Sequence, residues 1–205
     1  MGVVVAIGLM SSRLLLRLPC RAYVDIFRGL PAILTIYLIG QGLPLSGLKI
    51  FGDLTYGYAA LAIGLIEGAY MSEIFRSGVQ SVDRGQTEAA RSLGLTAAQT
   101  MRHVVFPQGA RRVLPALTGQ FIIVIKSTAL VYLLGLTSAQ REMFAIAQDN
   151  AVLQANLSPL TAGGLIYLAL TVPMSHVVNA WERRLREGPR QRDAPRALHA
   201  LQAES

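Results

Sequence analysis

The stretch EAARSLG, residues 88–94, is a polar, helix-forming segment between two strongly apolar parts of the chain, and Pro107 follows it thirteen residues later. Glu, Ala, Arg and Leu favour helices, whereas glycine commonly ends them. Apolar runs on both sides indicate a chain that crosses a membrane. We therefore expect this segment to lie in water at one membrane face and to contact another component there.

The composition supports a membrane protein. Hydrophobic residues make up 52% of the 205 residues and charged residues only 15%, whereas a soluble domain carries about a quarter charged residues. The mean hydropathy is +0.43. The single cysteine, Cys20, cannot form an internal disulfide and has no Cys/His cluster around it, so we interpret it as a structural thiol and predict no metal site.

Apolar runs predict about five transmembrane helices, since roughly 20 residues cross the hydrocarbon core. The first run, residues 1–10, is too short to span alone and is interpreted as the second half of a truncated helix. The other runs cover residues 30–45, 56–75, 113–136 and 160–181. The predicted fold class is therefore an all-α membrane protein with a transmembrane permease domain at 1–181.

The distribution of cations predicts the orientation of the chain. The net charge is +7, and sixteen of the nineteen Lys and Arg residues follow the first, third or last apolar run. By the positive-inside rule these connections are cytoplasmic, which puts the N-terminus outside and the C-terminus in the cytoplasm. Such alternation between spans is not required of a nucleic-acid surface, so no nucleic-acid partner is expected. Residues 182–205, rich in Arg with Pro189 and Pro195, are predicted to be a polar cytoplasmic tail.

Residues 77–112 form the central cytoplasmic segment, for which we predict a helix, a turn and a second helix. Gly94 is placed as a left-handed helix terminator. Thr96-Ala97-Ala98-Gln99 has the pattern of a capping box, so a second helix should run toward Val105 until Pro107 interrupts it.

On the first of these helices, Ala89, Ala90 and Leu93 are expected to form a patch of small and apolar side chains, flanked by Glu88 and Arg91. Another protein could approach closely at such a patch. Two alternatives remain open from spacing alone. The helices could simply lie on the membrane surface, or they could form a DNA-binding helix-turn-helix. The second alternative is disfavoured because a helix tethered at both ends to membrane spans has difficulty entering a major groove.

These residues match a known pattern. EAA at 88–90, Gly94, and VVFP at 104–107 resemble the EAA-x3-G-x9-I-x-L-P loop of importer permeases of the ATP-binding-cassette class. Three further segments resemble the polar amino-acid branch of that class, which includes permeases of the histidine, glutamine and glutamate type. They are FRGLP at 27–31, GAYMSEIFR at 68–76 and KSTAL at 126–130. The resemblance covers residues 13–186.

The resemblance implies a multi-pass subunit of the bacterial inner membrane whose loop docks on a cytoplasmic ATP-binding subunit. The implied coupling residues are Glu88, Ala89, Ala90, Leu93, Gly94 and Pro107. It also implies a second permease subunit, identical or homologous, and an extracytoplasmic solute-binding protein. No G-x-x-x-x-G-K-[ST] string occurs, so we expect no ATPase site, no catalytic residue and no cofactor in this chain, with ATP bound by the partner.

Two ionisable residues lie inside apolar runs: Glu67 in the third and Lys126 in the fourth. A charge at the bilayer centre costs roughly 2.5–3.5 kcal/mol on insertion scales, so each needs a partner or an aqueous path. One interpretation is a structural Glu67–Lys126 pair. The other is a solute path in which Glu67 receives the ammonium of an amino acid and Lys126 a carboxylate. Glu73, three residues before Arg76, is expected to form a helix-end ion pair.

The sequence thus favours the membrane subunit of an ATP-driven amino-acid importer that works by alternating access. The alternative is a secondary transporter or channel for a small polar solute. Inverted repeats would favour that alternative, and none is evident in the sequence.

Overall fold

The computed structural model describes residues 1–135 and 141–186, and only the backbone at 182 and 184–186. The described residues form helices and their connections, with no strand among them, which confirms the all-α fold class. Among the described residues, three helical stretches are long and apolar enough to cross a membrane: Thr55–Gln80, Ala97–Leu134 and Ser158–Trp181. They contain the predicted third, fifth and most of the fourth runs, although residue 136 lies outside the described residues.

The N-terminal part consists of short helices. Helix α1 (Gly2–Met10) has nine residues, about 14 Å at a rise of 1.5 Å per residue, and packs along a later helix. Helix α2 (Leu14–Gly29) is amphipathic and buries only Val24. After a 108° bend at Pro31, the chain continues as α3 (Ala32–Tyr37), a π-helix (Leu38–Gly42) and α4 (Leu43–Leu45).

If the bent pair Leu14–Gly29 and Ala32–Leu45 counts as one span, the described residues contain up to four candidate spans. The predicted number of five therefore stays a prediction. The run at 30–45 is helical, as expected, but it is interrupted by a π-helix.

Helix α5 (Thr55–Gln80) is the centre of the fold and contacts α1, α2, α3 and a second long helix, α8 (Phe106–Ser127). Its buried face carries small residues that let neighbouring helices approach. The apolar core joins α3, α5 and the 3-10 helix Thr128–Leu134 that continues α8, and consists of Ile36, Ala59, Ala62, Ile66, Val131 and Leu134.

The prediction that Pro107 interrupts the second cytoplasmic helix is wrong. That helix, α7 (Ala97–Thr100), passes through a π-helix (Met101–Val105) directly into α8. The helix that contains the predicted run at 113–136 therefore begins before residue 113. Pro107 lies inside the continuous helical stretch Ala97–Leu134, and the π-helix directly before it accommodates the missing amide hydrogen.

The C-terminal part is a helical hairpin. Helix α9 (Met143–Leu153) packs against α10 (Ser158–Arg186), and a Cβ on Gly163 of α10 would lie 3.2 Å from the Ala147 Cβ of α9. The predicted tail at 182–205 begins as the last turn of α10. Its remainder, residues 187–205, lies outside the described residues.

Candidate functional site

The segment between α5 and α7 begins with α6 (Arg84–Ser92), which has a cap at each end. At the start, the Asp83 carboxylate accepts a 2.6 Å hydrogen bond from the Gly85 amide. At the end, Gly94 has φ +86°, and the amide of Leu95 donates to the carbonyl of Ala90 at 3.2 Å. The left-handed glycine predicted at position 94 is confirmed, and its conformation disfavours any residue with a side chain.

The predicted capping box at the start of α7 is also confirmed. The Gln99 amide donates to the Thr96 hydroxyl at 3.3 Å, and the Thr96 amide donates to the Gln99 side-chain oxygen at 2.8 Å. These bonds satisfy two amide groups that a helix start leaves without an intrahelical partner. The two short helices and the turn between them are therefore defined by their own local sequence.

The exposed face of α6 carries Glu88, Ala89 and Leu93, and Leu93 is 82% exposed. Ala90 was expected on the same face, and this is wrong, since Ala90 is 5% exposed. Successive residues on a helix are about 100° apart, so Ala89 and Leu93 (i, i+4) share a face that Ala90 leaves. The outward surface is thus an exposed leucine and an alanine beside a carboxylate, and Ala90 packs inward.

Contacts to the spans hold this segment in place. The Gln108 side chain of α8 donates to the Gln86 side chain of α6 at 3.3 Å, and the Arg112 guanidinium donates to the Ser81 carbonyl just after α5. Gln108 follows Pro107 in the first turn of α8 and so lies at the base of the segment. These contacts connect α6 and the residue after α5 to the first turns of α8.

Sequence reasoning missed the contact that brings α5 and α8 together below this segment. A Cβ on Gly78 would overlap the Val113 side chain, and one on Gly109 would lie 3.0 Å from the Gly78 carbonyl oxygen. Only glycine allows this approach of the two backbones. The two glycines are far apart along the chain and form no motif, so nothing in the sequence could have paired them.

In the interior, Glu67 contacts Gln120 and not Lys126. The Gln120 Nε2 donates to the Glu67 Oε2 at 2.5 Å, and the two residues are 7% and 9% exposed. Both line a cavity of about 300 Å³ between α3, α5 and α8, together with Tyr70 and Ser127. A buried carboxylate with one amide donor retains capacity to accept further hydrogen bonds or a cation.

Lys126 lines a different cavity, of about 370 Å³, between α8, α9 and α10. Its walls are mostly apolar, with Tyr167 and Thr171 as polar neighbours. Residues 126 and 127 project about 100° apart on the helix, which places the two cavities on different sides of α8. The ion pairs of the described residues do not join Glu67 to Lys126, so the structural pair is not formed.

The predicted ion pair of Glu73 with Arg76 is confirmed, at 2.6 Å. Glu73 also lies 3.8 Å from Arg28 of α2, whose guanidinium stacks 5.3 Å from the centre of the Tyr70 ring. This cluster fastens the amphipathic helix to α5. Among the described residues, no three His, Cys, Asp or Glu side chains come together as a metal site would require.

Relatives of known function resemble this chain over most of its length. It is 34% identical over 165 residues to the arginine transport system permease protein ArtQ of Bacillus subtilis, covering 80% of this chain and 73% of that one. It is 32% identical over 188 residues to the glutamate/aspartate import permease protein GltK of Escherichia coli, covering 89% of this chain and 83% of that one.

Solved structures show the same fold. A crystal structure of an amino acid ABC transporter with histidines matches with a TM-score of 0.78 at 35% identity, covering 89% of this chain and 83% of that chain. The inward-facing MetNI methionine ABC transporter matches in fold with a TM-score of 0.64 at 18% identity, covering 91% and 85%.

A family model supplies the decisive match. The model of the binding-protein-dependent transport system inner membrane component matches residues 1–187. This match favours a permease subunit over the secondary transporter or channel that the sequence left open. The chain therefore belongs to the family of inner membrane components of binding-protein-dependent transport systems.

Proposed function

We propose that this chain is the membrane-spanning subunit of an ATP-driven importer of a polar amino acid. The names of its relatives support the substrate class, since they refer to arginine, glutamine and glutamate or aspartate. Those names differ, so they do not single out one amino acid. The energy comes from a separate ATP-binding subunit, because the sequence of this chain contains no phosphate-binding loop.

The observation that carries the coupling proposal is the exposed face of α6, residues Glu88, Ala89 and Leu93, ended by Gly94. Leu93, the C-cap residue of α6, is 82% exposed, and an apolar side chain presented by a helix that is fixed at both ends is suited to insertion into a cleft on another protein. Ala90 and Pro107 support this surface from within, the first by packing inward and the second by starting α8. The ATP-binding subunit binds here, and its movement reaches α5 and α8 through Ser81, Gln86 and Gln108.

The remaining partners follow from the family. The family description refers to a binding protein, which supports an extracytoplasmic solute-binding subunit. A second permease subunit, identical or homologous, completes the path. The charge distribution supports a cytoplasmic α6 with the N-terminus outside and the C-terminus inside. Alternating access then exposes the path to one side of the membrane at a time.

For the solute path, we propose that the cavity beside Glu67 and Gln120 receives the ammonium group of the amino acid. Its volume of about 300 Å³ lies at the lower end of ligand pockets, about 300–1,000 Å³. Lys126 lies on the other side of α8, so its contact with a solute carboxylate requires a second position along the path. Impaired uptake by Glu67→Gln, with normal membrane insertion, would support this role, and normal affinity and selectivity would refute it.

The coupling proposal is tested by replacing Leu93 with Asp. We expect the ATP-binding subunit no longer to co-purify with the membrane-inserted variant and ATP-driven uptake to fall at least about tenfold, which corresponds to 1.4 kcal/mol. The matched control is Leu153→Asp, since Leu153 is also 82% exposed but lies at the end of α9. Equal loss of co-purification in both variants, or in neither, would refute the proposed docking face.

A further inference from the structure

A third cavity lies where the spans end beside the cytoplasmic segment. It measures about 440 Å³, and its walls come from the end of α1, the end of α5, the stretch from α7 to the π-helix and the start of α8. Met10 is the last residue of α1, Val79 is the second last of α5 and Phe106 is the first of α8. On the orientation proposed above, the cavity therefore lies near the cytoplasmic ends of α1 and α5, where the hydrocarbon core meets the headgroups.

Its lining is apolar with one charged group. Val3, Ile7, Phe75, Val79 and Met101 are among the walls, and Arg102 is the charged member. Arg102 is exposed, and the ion pairs of the described residues use other cations. A ligand that fits both features has a hydrocarbon part and an anionic end.

Apolar residues at the rim of the cavity are exposed. Val3 is 42% exposed, Ile7 62% and Phe106 53%, so the rim is continuous with the exposed apolar surface of α1 and α8. The volume of about 440 Å³ and the mostly apolar walls suit a flexible hydrocarbon chain. Gly109 lines the cavity and packs against Gly78, so the contact between α5 and α8 closes the cavity on one side.

We propose that this cavity binds an anionic phospholipid, with an acyl chain between α1 and α8 and the headgroup phosphate at the Arg102 guanidinium. Cations at the cytoplasmic face attract anionic lipids, and basic pockets between transmembrane helices bind their headgroups. The headgroup assignment rests on the cytoplasmic orientation proposed above. Ala98 and Met101 of the central cytoplasmic segment line the cavity. The bound lipid therefore supports the position of that segment.

The test uses tryptophan quenching in nanodiscs that contain the full chain with its co-purifying subunits. Trp181, the single tryptophan, is replaced by Phe, and Phe106→Trp places the reporter at the cavity. The probes are phosphatidylglycerol and phosphatidylcholine brominated on the acyl chain. We expect the phosphatidylglycerol probe to give at least about twofold stronger quenching at equal low mole fraction. Equal quenching by the two lipids would overturn the proposal.

Variants locate the site. Arg102→Gln should abolish the preference for phosphatidylglycerol while Arg102→Lys retains it, and the exposed Arg111→Gln is the matched control. Ala110→Phe, or Val3→Phe if the first does not fold, should fill the cavity and abolish the preference. Ala162→Phe, at an exposed position of α10, should leave the preference for phosphatidylglycerol unchanged. A preference that survives both cavity-filling variants, or protection from both lipids by a protein segment, would overturn the proposal.

Discussion

Two regions depend on the same two helices, α5 and α8, but are built differently. One is the part of the central cytoplasmic segment at 81–105, and the other is the Glu67–Gln120 contact. The caps of α6 and α7 join residues no more than five positions apart, whereas Glu67 and Gln120 are 53 positions apart. The first region keeps its shape through local bonds and presents it to a partner. The second exists only when the two spans are packed, so it responds to any change in how they cross.

The largest effect is expected at the Gly78–Gly109 contact, because both regions depend on the packing of α5 against α8 there. Gly78→Leu should destabilise the chain by more than the about 1–3 kcal/mol typical of added methylenes, because even a Cβ would overlap the Val113 side chain and lie 3.1 Å from the Gly109 carbonyl oxygen. Thermal unfolding in detergent measures the loss. Gly119→Leu on α8 is the control, since nothing lies within 4 Å of a Cβ there. Equal stability of the Gly78→Leu and Gly119→Leu proteins would contradict the proposed close packing of α5 against α8 at these glycines.

The interior contact can be broken alone. Gln120→Leu should cost about 1–3 kcal/mol of unfolding free energy, because it leaves a buried carboxylate without its amide donor. The double variant Glu67→Leu with Gln120→Leu should recover most of that stability, since removing both partners is nearly neutral. Chemical denaturation of the three proteins measures these differences. If the double variant is as unstable as the single one, the Glu67–Gln120 hydrogen bond does not explain the cost.

The smallest effect is expected in the local region. Thr96→Ala removes the side chain that caps α7 and should cost about 1 kcal/mol, confined to the segment. Hydrogen exchange should therefore quicken at the amides of residues 97–100 and remain unchanged in α5. Thr87→Ala in the interior of α6 serves as the control. Faster exchange throughout α5 would show that the segment is not locally determined.

The parts that the sequence predicted are those with local causes. The capping box at Thr96, the left-handed Gly94 and the Glu73–Arg76 ion pair all involve residues up to three positions apart or a single backbone angle. The apolar runs likewise mark the spans because lipid demands them. These features can be derived without knowledge of how the helices pack.

What the sequence did not predict depends on register or distance. The sequence places Ala90 on the exposed face because its side chain is small and apolar like those of Ala89 and Leu93. Helix geometry instead turns it inward. The π-helix at Met101–Val105 has no sequence signature, so the sequence predicts a break at Pro107 where the helix continues. Gln120 was overlooked as the donor to Glu67, since only the crossing of α5 and α8 brings them together. An amide inside an apolar run was the signal that could have drawn attention to it.

The central claim is that the ATP-binding subunit docks on the exposed face of α6. Photo-cross-linking from benzoylphenylalanine at position 93 or 153, in intact membranes that contain the assembled transporter, tests it most directly. The two native leucines are equally exposed at 82%. We predict a cross-link to an ATP-binding subunit from position 93 and none from position 153. A cross-link to that subunit from 153, or its absence from 93 in a transporter that still imports solute, would contradict the claim.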